Sequence, residues 1–165
     1  MQADTIIIED EDGGFSDMDL IKNSRSVVVV TRGGYIKRMP LKTFEKQGRG
    51  TRGKRGTSDG NGSADDEVAH AFTCNDHDTL LMVTQRGVAF GLRAYQVPVG
   101  GRTAKGSPIP SVLPVGDDPI TTVIPISEFS EEEYLVLATE QGLIKRTPLA
   151  AFEKLTSRGL TIAFL

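Results

Sequence analysis

Tryptophan is absent from this chain of 165 residues, and cysteine occurs once, at Cys74. A lone cysteine excludes a disulfide within the chain and fits a reducing compartment. No apolar run approaches the ~20 residues needed to span a bilayer, so no membrane partner is expected. The first 20 residues contain no Lys or Arg, so the positive segment that opens a secretory signal is not visible. What is abundant is glycine, at 18 residues, with 8 prolines beside it; turns must be frequent. The apolar and charged fractions are those of an ordinary globular domain, and the length is enough for a real core.

A net charge of −3 argues, taken alone, against a nucleic-acid partner. The distribution argues the other way. Residues 1–20 hold seven acids and no base, residues 32–56 hold nine bases against the single acid Glu45, and residues 59–78 hold six acids and no Lys or Arg. Charge in blocks creates local fields that the net value hides. Nine bases in 25 residues, spaced by glycines, point to a phosphate partner.

A repeat organises the chain. VVVVTRGGYIKRMPLKTFEK (27–46), LLMVTQRGVAFGLRAYQVPV (80–99) and LVLATEQGLIKRTPLAAFEK (135–154) align, with Thr31, Thr84 and Thr139 in register and Gly34, Gly87 and Gly142 in register. Arg52-Gly53, Lys105-Gly106 and Arg158-Gly159 recur at steps of 53. A period near 50 indicates a propeller-like array. Each unit reads as β: an apolar strand, a Gly-bearing turn, then a second strand at Tyr35–Met39, Val88–Leu92 or Leu143–Thr147. Val68–Thr73 and Ile120–Ile126 are further β-like stretches ahead of two hairpins, giving about four strands per unit, the content of a propeller blade. The segments LKTFEK, RAYQVP and LAAFEK are each expected to form one helical turn, with Phe44, Tyr95 and Phe152 packed between blades. The Trp-Asp punctuation of one propeller class is missing with tryptophan. The double glycines, Gly33-Gly34 and Gly100-Gly101, fall at different places in their units, unlike those of another class.

These residues resemble a known family. VVVVTRGGYIKRMPL is similar to the opening blade of the C-terminal domain of DNA gyrase A. HDTLLMVTQRGVAFGLRAYQVPVGGRTAKGSPI (77–109) resembles its second blade, and DDPITTVIPISEF with YLVLATEQGLIKRTPLAAF its third. The resemblance covers roughly residues 17–165. It implies an all-β β-pinwheel, propeller-like with strands exchanged between blades, in which about three four-stranded blades stand where the family usually has six. The expected layout is an acidic linker at 1–22 and blades near 23–66, 67–118 and 119–165. The family binds and bends duplex DNA on a basic rim, as a non-catalytic module of an ATP-dependent topoisomerase that supports supercoiling. The related protein ParC of topoisomerase IV wraps less and is the alternative parent. Implied partners are duplex DNA, the remainder of gyrase A, and gyrase B in the holoenzyme, with no cofactor and no metal. The implied location is the bacterial cytoplasm, at the nucleoid, or an organelle in a plant.

The family's gyrase box, usually Gln-Arg-Arg-Gly-Gly-Lys-Gly, corresponds to residues 47–53. Gln47, Arg49, Gly50 and Gly53 match, Arg52 keeps the charge of the usual Lys, and Gly48 and Thr51 depart from it. The main expected DNA contacts are Arg49, Arg52, Lys54 and Arg55. Lys37, Arg38, Arg102, Lys105, Lys145, Arg146 and Arg158 continue the path.

Competing motifs are weaker. Gly48–Gly53 fits G-x-G-x-x-G, and Gly48–Lys54 nearly fits a P-loop, but Arg55 stands where a Mg²⁺-binding Ser or Thr belongs. Both need a strand before and a helix after, whereas RGTSDGNGSADD reads as a loop, mobile from Gly56 to Asp66. His70, Cys74, His77 and Asp78 have zinc-binding donor types without a closed ligand set, and a Cys74/His77 nucleophile pair lacks an oxyanion partner. Asn61-Gly62-Ser63 is an N-x-S sequon in a chain without a visible secretory signal. A propeller-like protein-interaction module is the remaining rival.

Overall fold

The computed structural model describes residues 17–49 and 67–162. A short helix α1 (Asp17–Leu20) leads into β1 (Arg25–Thr31), β2 (Tyr35–Pro40) and helix α2 (Leu41–Arg49). Beyond residue 66 come β3 (Val68–Asn75), β4 (Thr79–Thr84), β5 (Val88–Arg93), β6 (Ser107–Pro108), β7 (Ile120–Ile126), β8 (Tyr134–Ala138), β9 (Ile144–Pro148) and β10 (Leu160–Thr161). Short 3₁₀ turns occupy Ala94–Gln96, Ile109–Ser111 and Leu149–Phe152.

The aligned threonines and glycines form one turn device, used three times. The N–H groups of Gly34, Gly87 and Gly142 donate to the carbonyls of Thr31, Thr84 and Thr139 at 3.1, 3.0 and 3.0 Å. Each threonine hydroxyl accepts an N–H at the start of the next strand or one residue before it, from Tyr35, Val88 or Leu143, at 3.1 Å. The three glycines sit at φ 82°, 78° and 82°, in the left-handed region that a side chain disfavours. Hairpins β1–β2, β4–β5 and β8–β9 follow from this local chemistry.

The sheets are assembled across the repeats. Their strand orders are β3-β1-β2-β6, β10-β5-β4-β7 and β8-β9. Val68–Asn75 and Ile120–Ile126, which stand ahead of the second and third hairpins in sequence, complete the sheets of the first and second. Both pairings carry the same register irregularity, at Val30/Thr31 and at Val83/Thr84. The segments 23–66, 67–118 and 119–165 are therefore periods of sequence, and each four-stranded sheet draws on two of them. Two sheets have the expected four strands. The third is a two-stranded hairpin among the described residues. LKTFEK is also more than one turn, since α2 runs for 9 residues and packs against β1 and β2.

β4 explains how the sheets stack. All six of its residues are buried, and alternate side chains leave opposite faces of a strand. Leu80 and Met82 join Val28, Val30, Ile36, Phe90 and Leu92 in one core, between the first and second sheets. Leu81 and Val83 join Ala89, Ile126, Leu135, Phe152 and Ile162 in another, between the second sheet and the third hairpin. A strand covered on both faces loses the polar/apolar alternation of a half-buried one, hence the unbroken LLMV. Of the three aromatics expected between blades, Phe152 is buried there, Tyr95 is half-buried against His77, and Phe44 is 40% exposed.

The acidic segment is tied down at its end. Asp76 N–H donates to the Ser24 carbonyl at 2.8 Å. His77 N–H donates to Asn23 Oδ1 at 3.0 Å, and its Nε2 lies 2.5 Å from the Ile21 carbonyl. The expected mobile loop from Gly56 to Asp66 lies outside the described residues.

Candidate nucleic-acid interface

Two of the recurring basic-glycine pairs, those within the described residues, fall at equivalent places in the fold. Lys105-Gly106 immediately precedes β6, and Arg158-Gly159 immediately precedes β10, each an outer strand of its sheet. Gly106 (φ 95°) and Gly159 (φ 88°) are both left-handed. A Cβ on Gly106 would lie 2.7 Å from the Ile36 carbonyl oxygen, and one on Gly159 would lie 2.7 Å from Phe90 Cε1. Glycine is required at both positions, so the preceding cation is brought to the same edge of successive sheets. Arg102, Lys105 and Arg158 are all exposed.

Aromatic rings support two cations. The Lys105 ammonium lies 4.3 Å from the centre of the Tyr35 ring, and the Arg146 guanidinium 4.3 Å from that of Tyr134. Such cation–π contacts fix a charge without neutralising it. Sequence reasoning missed both tyrosines. The available signal was their position, one on the first residue of β2 and the other on the first residue of β8.

Lys37 and Arg38 are placed differently from the expected phosphate contacts. Arg38 is turned inward: its side chain is 13% exposed, and its Nη1 pairs with Asp76 Oδ1 at 3.2 Å. It also donates to the carbonyls of Val97 and Tyr95 at 3.2 and 3.4 Å, and Ser26 Oγ donates to the same Asp76 oxygen at 2.6 Å. Arg38 thus fastens the first sheet to the loop that follows β5. The Lys37 ammonium donates to three carbonyls of one loop, those of Gly101, Arg102 and Ala104, at 3.2, 2.9 and 2.8 Å. Burial lowers its pKa from the usual lysine value. Lys145 and Arg146 lie on β9, Lys145 partly buried and Arg146 exposed.

Gln47 and Arg49 fall in the last turn of α2. Gly50, Arg52, Gly53, Lys54 and Arg55 lie outside the described residues. A helix leads into Gly48–Gly53, where a nucleotide-binding loop needs a strand. Among the described residues no group of three or more His, Cys, Asp or Glu side chains is placed to hold a metal, and no helix is long and apolar enough to cross a membrane. Cys74 is buried, His77 is bonded to Ile21, and Asp78 Oδ2 accepts the Asn75 N–H at 2.9 Å.

A sheet repeated twice with exchanged strands, a third hairpin stacked on it, and cations placed beside equivalent outer strands define a propeller-like β-repeat domain. The model of the family described as DNA gyrase C-terminal domain, beta-propeller matches residues 25–75, 78–109 and 133–163. The chain belongs to this family. It is 44% identical over 157 residues to the DNA gyrase A protein of Synechocystis sp., covering 94% of this chain and 18% of that protein. It is 36% identical over 156 residues to the chloroplastic/mitochondrial DNA gyrase A protein of Arabidopsis thaliana, covering 93% of this chain and 16% of that one. The chain thus spans less than a fifth of the length of these relatives. Its fold is similar to that of the C-terminal domain of DNA topoisomerase IV, with TM-score 0.69 and 24% identity, over 86% of this chain and 42% of the other. It is also similar to a DNA gyrase A C-terminal domain, with TM-score 0.56 and 24% identity, over 81% and 42%.

Proposed function

We propose that this domain binds duplex DNA with little sequence preference along the outer edge of its sheets and bends it around that edge. The observation that carries the reading is the equivalent placement of Lys105-Gly106 and Arg158-Gly159 beside the outer strands of successive sheets. A line of cations held at a repeated spacing suits a polyanion of regular pitch, and phosphate contacts position a duplex without reading its sequence. The hairpin tips add support. Arg32 pairs with Glu67 and Arg86 with Asp117, both at 3.2 Å, so positive charge at the tips is countered locally.

In this reading Arg102, Lys105, Lys145, Arg146 and Arg158 contact phosphates, together with the box residues Gln47, Arg49, Gly50, Arg52, Gly53, Lys54 and Arg55. Arg38 is left out, since its guanidinium is engaged with Asp76. The domain serves as the DNA-wrapping part of a type IIA topoisomerase, working with the rest of gyrase A and with gyrase B, in a bacterial cytoplasm or a plant organelle. The test is anisotropy titration of labelled duplexes of unrelated sequence, with end-to-end energy transfer reporting the bend. Lys105→Ala and Arg158→Ala should each weaken binding to the same extent on every duplex. Sequence-dependent losses, or no loss, would contradict the edge; unchanged binding with no bend would remove wrapping alone.

A further inference from the structure

The outer-strand connection of the first sheet is longer than that of the second, and the extra length carries charge. In the second sheet the Gly91 N–H donates to the Thr156 carbonyl, three residues before Gly159. In the first, the aligned Arg38 N–H donates to the Pro98 carbonyl, eight residues before Gly106. The added length falls within the loop Val99–Lys105, with sequence VGGRTAK, which holds Arg102 and Lys105. A glycine-rich segment of this kind has much conformational entropy to lose on ordering.

Lys37 supplies the missing order. Its stem packs under the loop: a Cβ on Gly100 would lie 3.3 Å from Lys37 Cβ, and one on Gly106 also 3.3 Å. Its three donors then meet the carbonyls of Gly101, Arg102 and Ala104, matching the donor capacity of an ammonium. In the second sheet, where no extra loop exists, the aligned residue is Phe90, whose ring meets Gly159 instead. Of these two sheets, the one with a loop to hold has lysine at this position and the one without has an apolar ring.

We infer that Lys37 is a positioning residue, which does not bind phosphate itself but holds the Val99–Lys105 loop so that Arg102 and Lys105 reach the DNA. This role rests on the DNA-binding function proposed above. It predicts non-additivity. Binding losses of residues that act through one another do not add, while independent contacts add.

The experiment is a thermodynamic cycle on the 165-residue chain: wild type, Lys37→Met, Arg102→Ala with Lys105→Ala, and all three together, titrated with one duplex at fixed low salt. Lys37→Met keeps the stem and removes the donors. It should weaken binding by about three- to tenfold in the wild-type background, as the loss of a phosphate contact does, and should have no effect once Arg102 and Lys105 are gone. Amide exchange without DNA is the second readout: the Ala104 N–H, which donates to the Gly101 carbonyl within the loop, should lose protection in Lys37→Met while β1 and β4 keep theirs. If Lys37→Met fails to fold, Lys37→Gln takes its place in the same cycle. Wild type that binds, with an undiminished cost of Lys37→Met in the loop-neutral background, would show a direct contact and overturn the positioning role alone. Unchanged exchange at Ala104 would overturn it too. Wild type that binds no DNA would overturn the function and this role with it, whatever the exchange shows.

Discussion

Lys37 and Arg38 are neighbours on β2, and adjacent strand residues face opposite ways. Arg38 meets Asp76 in a nearly enclosed pair that Ser26 joins. Removing one partner of such a pair leaves the other uncompensated, so Asp76→Ala should lower unfolding stability by about 3–5 kcal/mol in urea titration; a change under about 1 kcal/mol would contradict it. Glycine positions separate strain from crowding. Gly34 has open space around it and only its φ to defend, whereas Gly106 has both a left-handed φ and the Ile36 carbonyl at 2.7 Å. Gly34→Ala should cost about 1–2 kcal/mol and Gly106→Ala distinctly more, by the same measurement; equal costs would remove the crowding argument. Burial, with the Asp78 and Asp76 carboxylates adding to it, pushes the Cys74 thiol up to about 11. The folded state holds this proton more tightly than the unfolded one, so the contribution is full at neutral pH and is lost as pH rises through about 11. At about pH 8 a disulfide reagent should label Cys74 only at the rate of unfolding; rapid labelling of native protein would contradict this burial.

At the scale of elements, β4 is covered on both faces and paired on both edges, while β8 and β9 pair only with each other among the described residues. Val136, Leu143 and Ile144 are 59%, 66% and 75% exposed. Amide exchange should be slowest in β1 and β4 and faster in β8–β9, because protection follows burial and double pairing; equal protection would contradict the topology. The hairpins were legible in the sequence because their determinants are local: a threonine hydroxyl, a glycine three residues on, and apolar strands on either side. The strand exchange was not legible from pattern. Val68–Thr73 announces a strand, but alternation does not name its partner, and Val28 pairs with Phe72 far along the chain. It came into view only through the family resemblance. The fates of Lys37 and Arg38 were hidden for the same reason, since Asp76 and the carbonyls of Gly101–Ala104 are brought to them by topology. A sequence shows that a base is present; the fold decides whether it faces a carbonyl or the solvent.

For the whole molecule, stacking and charge follow from the same repeat. Two cores lie on the two sides of the second sheet, and Lys105 and Arg158 fall beside equivalent outer strands. A chain with net charge −3 can then present a positive edge, because 13 of its 22 acids fall in residues 1–20 and 59–78. The central claim is that this edge binds duplex DNA through phosphates. Its most direct test is an anisotropy titration of the chain with a labelled duplex across a series of salt concentrations. Each neutralised phosphate contributes about 0.9 to the slope of log affinity against log salt. The account predicts a linear fall with a slope of several, equal on unrelated sequences, and lower by about one in Arg158→Ala. Binding that is absent at low salt, or that does not change with salt, would contradict it.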